Sequence, residues 1–314
     1  MKPTKSAQQL ESEFLERYGA AAERANFFDP SFFEKFNVKR GLRNTDGSGV
    51  VVGLTEIGEV HGYVMDEGEK HDVLGRLRYR GYDVKDLVAG FQKEKRFGFE
   101  ETAFLLLFGT LPKQNELTDF SQFLGSLRKL PDGFVEDVIL RFPSPDIMNQ
   151  LARAVLFTYS FDASPEDYSI KNILRQSVEL ISRFPSYIAY SYQAKRHYYD
   201  KKSLLIHHPQ PDLSTAENFL YMVRHDNQFT SLEAEILDLA LVLHAEHGGG
   251  NNSTFSIRLV SSAGTDTYSA MGSAIGSLKG IKHGGANIRV MRMIDDIKTN
   301  CLHWDDDHAL AAYL

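Results

Sequence analysis

Residues 230–255 read TSLEAEILDLALVLHAEHGGGNNSTF, and this stretch decides the fold class. Thr230 and Glu233 have the T-x-x-E spacing of a capping box, in which each side chain accepts a hydrogen bond from a backbone N–H of the first turn. From Leu239 to Leu243 every position is apolar, so this helix must be covered on all sides by other helices. The spacing predicts a helix over 231–247, stopped by Gly248. Working outward, FGFEETAFLLLFGTLP at 97–112 has the same character: acids at its start, an apolar middle, then Gly109 and Pro112. Helical periodicity also covers roughly 8–25, 114–130, 146–160, 168–195, 214–223, 267–279 and 286–299, with Pro131, Pro143, Pro145, Pro165, Pro209 and Pro211 between these segments.

Strand signals are confined to GVVVGLTEIGEVHGYV at 49–64, where β-branched residues are punctuated by glycine. The expectation is a mainly α, multi-helical fold with one small N-terminal β-hairpin region. The clearest loops are NTDGSG at 44–49 and HHPQPDL at 207–213. Repeats of 20–50 residues and low-complexity segments are absent, which argues against a solenoid or a disordered tail.

Composition excludes several classes. With 314 residues, of which 42% are apolar, the chain can bury a large core. A net charge of −7 lacks the basic surplus that binding to nucleic acid requires. Cys301 stands alone, so no internal disulfide forms, and a reducing, cytoplasmic location is expected. MKPTKSAQQLESEFLERY carries early acids and no apolar core, unlike a secretory signal, and no run of 18 apolar residues is present to span a membrane.

The chemistry gathers where histidines meet glycines. On this reading His244 and His247 lie in the last turn of helix 231–247, where the negative end of the dipole favours a cationic or donor imidazole suited to an anionic ligand. His283 in IKHGGAN precedes a helix instead. There added positive charge is disfavoured, and a neutral imidazole donating to a carbonyl oxygen is the natural role. HAEH lacks the order and spacing of H-E-x-x-H, so no metal is expected, and a helix rather than a strand precedes GGG, which argues against a dinucleotide or P-loop site. A plain helix stop followed by a loop is the bland alternative for GGG. In TYSAMGSAIGSLKG, 267–280, Gly272, Gly276 and Gly280 recur every fourth residue, so another backbone can approach closely, from this chain or from a second one.

HAEHGGGNNSTF, followed by KHGGAN 36 residues after His247, resembles the citrate synthase family, in which HxDHxxxNxS and HGxAN recur in that order. The likeness extends through LRYRGYDVKDLV (77–88), FEETAFLLLFGTLP (99–112), LISRFPSYIA (180–189) and DLSTAENFLYM (212–222), from about Val38 to about Ile297. The resemblance implies a large helical domain over 1–282 and the start of a small domain over 283–314. It implies an acyltransferase of the tricarboxylic acid cycle that condenses acetyl-CoA with oxaloacetate and water to citrate and CoA. In it His247 would bind oxaloacetate, and His283 would be the catalytic histidine that polarises the thioester carbonyl. No metal or other cofactor is implied, coenzyme A entering as part of a substrate, and a homodimer with helix 267–280 in its interface is expected.

The family pattern continues beyond the HGxAN helix with a G-[FY]-G-H histidine, a proton-abstracting aspartate and arginines that clamp oxaloacetate, and no match to these lies within the 314 residues. Asp305, Asp306 and Asp307 read as a solvated helix start, and Arg289 and Arg292 as surface residues. The 314-residue chain is therefore expected to be inactive by itself, as a shortened citrate synthase. A 2-methylcitrate synthase using propionyl-CoA and a non-catalytic interaction protein remain as alternatives.

Overall fold

The computed structural model describes residues 29–36, 42, 44, 49–50, 55–66 and 69–314. The helix expected over 8–25 lies outside the described residues, as do 45–48 of the expected loop and 51–54 of the strand signal. The chain forms two compact units, Met1–Val51 and Val52–Leu314. In the first, the short helix α1 (Ser31–Lys35) begins where Asp29 accepts the Ser31 N–H at 2.9 Å, and the Val50 N–H donates to the Leu42 carbonyl at 3.1 Å.

The second unit opens with an antiparallel hairpin, β1 (Gly58–Asp66) and β2 (Glu69–Tyr79), in which Gly58 pairs with Tyr79 and Asp66 with Glu69. The two-residue strand β3 (Tyr82–Asp83) completes the sheet. The hairpin thus lies further along the chain than expected. Its second strand, EKHDVLGRLRY, escapes sequence reading because charged residues and Gly75 break the β-branched signal, while register with β1 supplies the missing specification. Arg80 adopts φ 48° in the turn after β2, and its guanidinium donates twice to the Leu106 carbonyl, at 2.8 and 3.2 Å, tying the sheet to a helix end.

Helices follow: α2 (Val84–Lys93), α3 (Phe99–Phe108), α4 (Gln114–Ser126), a π-helical turn (Val135–Leu140), α5 (Ile147–Thr158), α6 (Ile170–Tyr198), α7 (Thr215–Val223), α8 (Ser231–Leu243), α9 (Asn252–Ser261), α10 (Thr267–Lys279), α11 (Gly285–Asn300) and α12 (Asp307–Tyr313). The mainly α expectation holds. α1, α2, the π-helical turn and α9 are additions to it. α2 carries Val84, Leu87 and Phe91 on one buried face at helical spacing, with Asp83 as its N-cap. α9 was concealed by Asn-Asn-Ser-Thr, residues of low intrinsic helix preference, behind three glycines.

One buried cluster joins Phe134, Ile139, Val155, Tyr187, Met222 and Tyr268 from the π turn, α5, α6, α7 and α10. A second joins Tyr79, Val84, Leu87, Phe91, Leu105 and Val242, where the sheet, α2, α3 and α8 meet. Each such buried side chain contributes about 1.5–3 kcal/mol relative to exposure. Two carboxylates with buried side chains tie helices together. Asp238 of α8 accepts the Gly98 and Phe99 N–H groups at 2.6 and 3.1 Å, capping α3, which has no side-chain cap of its own. Asp162 accepts from Ser164 N–H, Arg175, Gln176 and the Tyr268 hydroxyl at 2.7–2.9 Å, joining α6 to α10. Among the described residues, no helix is long and apolar enough to cross a membrane.

Candidate active site

The site is built on the end of α8. The Thr230/Glu233 capping box is present, with the Glu233 carboxylate accepting the Thr230 N–H at 2.8 Å and the Thr230 hydroxyl accepting the Glu233 N–H at 3.2 Å. The helix stops at Leu243, four residues before the expected end. Its last carbonyls are satisfied without another turn. His244, the C-cap, donates from Nδ1 to the Ala240 carbonyl at 2.7 Å, and the buried Tyr79 hydroxyl donates to the Val242 carbonyl at 2.8 Å. His247 therefore lies outside the helix, in the segment that follows, and the helix-dipole argument applies to His244 alone. His247 is open to solvent.

The segment carrying His247 is held by its own side chains. Glu246 Oε1 accepts the His247 and Gly248 N–H groups at 2.9 and 2.6 Å. Gly248 then turns the chain with φ +84°, a conformation that a side chain would strain. Asn251 caps α9 by accepting the Ser253 and Thr254 N–H groups at 2.8 and 3.4 Å. GGG is thus not the helix stop expected of it: the helix has already ended at Leu243, and the three glycines are the last residues of the loop, running directly into the Asn251 cap of the next helix.

His283 sits in the turn between α10 and α11, two residues before α11 begins, so its expected place at a helix start is what the structure has. Close packing at the next residue sets that turn. A methyl group on Gly284 would lie 2.1 Å from the Leu278 carbonyl oxygen, so only glycine lets the chain cross the end of α10 there. The imidazole is half-buried, and its Nε2 is 2.9 Å from the Ser253 hydroxyl. This bond joins the two histidine motifs: the segment after His247 runs straight into the helix that carries Ser253. Ser253 was not singled out by sequence reading. The available signal was an asparagine directly before Asn-Ser, an N-cap pattern whose helix would aim the serine at whatever packs beside it.

Arg289 and Arg292 are exposed on α11, and Asp306 caps the exposed α12, in line with their expected surface roles. Lys279, at the end of α10, pairs with Asp146 at 2.9 Å, where burial raises the Asp146 pKa but the ammonium and the Asn149 N–H outweigh it and lower it. Among the described residues, no three His, Cys, Asp or Glu side chains converge as metal ligands would.

Residues 44–312 match the family model described as "Citrate synthase, C-terminal domain". The chain is 37% identical over 227 residues to a citrate synthase of Haloferax volcanii, covering 71% of this chain and 56% of that one. It is 34% identical over 274 residues to 2-methylcitrate synthase 1 of Corynebacterium glutamicum, covering 85% of this chain and 64% of that one. The crystal structure of citrate synthase from Pyrobaculum aerophilum superposes with a TM-score of 0.66 at 28% identity, over 82% of this chain and 61% of that one. The chain spans about half the length of the curated relatives it matches. With the family model covering most of the sequence and the two histidine motifs joined through Ser253, the chain belongs to the citrate synthase family.

Proposed function

We propose that these residues form the histidine half of a site that condenses acetyl-CoA with oxaloacetate and water to give citrate and CoA. The observation that carries this reading is the Ser253–His283 hydrogen bond, which holds the imidazole against the helix that follows the His247 segment; the hydroxyl can donate or accept, and the reaction needs it to donate. With Nε2 accepting the Ser253 O–H, Nδ1 bears the proton and donates it as a hydrogen bond to the thioester carbonyl oxygen. That donor stabilises the enol formed when the methyl proton is removed. The enol carbon attacks the ketone carbon of oxaloacetate, and water then cleaves the citryl thioester to release CoA. His247, on a loop open to solvent, holds oxaloacetate. No metal and no cofactor beyond the CoA of the substrate takes part.

The proton-abstracting aspartate and the carboxylate-clamping arginines of the family pattern are not matched within residues 1–314. The 314-residue polypeptide by itself is therefore expected to release no CoA thiol above background when supplied with acetyl-CoA and oxaloacetate. Thiol release abolished by His283→Ala would overturn that expectation. The relationship to 2-methylcitrate synthase 1 supports a second reading, with propionyl-CoA as the acyl donor on the same two histidines. We place residues 283–314 at the start of a small domain following a large helical one, and the protein in the cytoplasm as a homodimer.

A further inference from the structure

An acidic residue directly before His247 is an electrostatic problem if that histidine receives a dicarboxylate, since a free carboxylate beside the site would repel the ligand. We propose that Glu246 is the positioning residue for His247, with its carboxylate turned onto the loop it closes, and that Gly58 is the residue that makes room for it. This inference rests on the reading of His247 as the oxaloacetate histidine.

Three observations carry it. Glu246 Oε1 accepts the His247 and Gly248 N–H groups at 2.9 and 2.6 Å, so one carboxylate oxygen is turned onto the backbone of the loop that presents the imidazole. The side chain lies against the first residue of β1, where a methyl group on Gly58 would stand 2.4 Å from Glu246 Cγ and 2.8 Å from Oε1. Below the loop, the fully buried Tyr79 donates to the Val242 carbonyl at 2.8 Å, anchoring the helix end from which the loop departs. The sheet therefore sets the position of the histidine loop through two contacts: a phenol under the helix end and a bare backbone under the carboxylate.

The test uses residues 1–314 with isotope-labelled histidine, following the His247 ring resonances as oxaloacetate is added to about 20 mM, a range that captures weak binding. Glu246→Ala and Gly58→Ala are each expected to raise the apparent Kd about tenfold, the worth of one charge-assisted hydrogen bond. Glu246→Asp should stay within about twofold, because an aspartate also reaches the N–H two residues on. Gly58→Ala combined with Glu246→Ala should bind no more weakly than Glu246→Ala alone, since alanine offers no Cγ for the new methyl to meet. Thermal unfolding of each variant separates affinity from stability. Variants that bind oxaloacetate as the parent does, with only Tm lowered, would make Glu246 merely structural and overturn the inference. Additive losses in the double variant would overturn the part given to Gly58. If oxaloacetate leaves the parent's His247 resonances unmoved, the His247 reading itself falls, an outcome distinct from both.

Discussion

Asp238 shows how much a single buried carboxylate decides. It is 1% exposed and replaces the side-chain cap that α3 lacks, yet burial pushes its pKa up to about 6 against the hydrogen bonds from Gly98 and Phe99. The folded state therefore holds a proton that the unfolded chain releases near pH 4. The stability this contributes is full below about pH 4 and is lost as pH rises through about 6, a difference of about 3 kcal/mol. Asp238→Asn should remove that slope, and it should cost about 1–3 kcal/mol at pH 5.5, because an amide presents N–H to one of the two N–H groups it must accept. Urea unfolding at pH 4, 5.5 and 7 checks both. At this scale the sequence was legible for His283, whose flanking glycines announce a tight turn before a helix. It was silent on Asp238 and on what Ser253, the final serine of HxDHxxxNxS, would touch: their partners lie about 140 and 30 residues away along the chain.

Among the elements, α10 was read correctly as a helix made for close approach, and the structure divides its glycines between two uses. Gly272 faces α5, where an added methyl would lie 3.1 Å from Leu156, so this position serves contact within the chain. Gly276 is exposed with nothing within 4 Å of an added methyl, which leaves it free for the proposed second subunit. If that face is the dimer contact, Gly276→Leu should convert a particle of twice 35.5 kDa into one of 35.5 kDa in light scattering, with circular dichroism unchanged. A dimer that persists in the variant would place the interface elsewhere. α3 and α8 were legible as helices from their apolar pattern, but α8 is not covered on all sides as that pattern led one to expect: Ala234, Asp238 and Val242 are buried, while Leu232, Ile236 and Leu243 are exposed. The end of α8 was misplaced because a tyrosine from the sheet takes the Val242 carbonyl that a further turn would otherwise have satisfied. α9 and β2 were missed because a cap and a strand register, rather than propensity, create them.

For the whole molecule, the response to acid follows from the second buried carboxylate. Burial would raise the Asp162 pKa, but the hydrogen bonds from Ser164, Arg175, Tyr268 and Gln176 outweigh it and hold the group well below the usual carboxylate range. Its contribution is present above about pH 4 and is lost as pH falls through the folded-state pKa, in the opposite sense to Asp238. Asp162→Ala should cost about 3 kcal/mol at pH 7, because Tyr268 and Gln176 keep buried donors without an acceptor, and it should flatten the acid limb of a pH-stability curve. An acid limb unchanged in the variant would assign that loss to other groups. The fold class was readable at this scale because helical periodicity recurs through most of the sequence. The joining of distant elements was not, and the Tyr79–Val242 bond between residues 163 positions apart is one such case. On a ribosome adding about 5–20 residues per second, Tyr79 emerges roughly 10–30 s before its acceptor exists. During that interval the Tyr79 ring can already pack against Val84, Leu87, Phe91 and Leu105, which follow it within 26 residues, so what waits for the second half of the chain is an acceptor for its hydroxyl rather than cover for its ring.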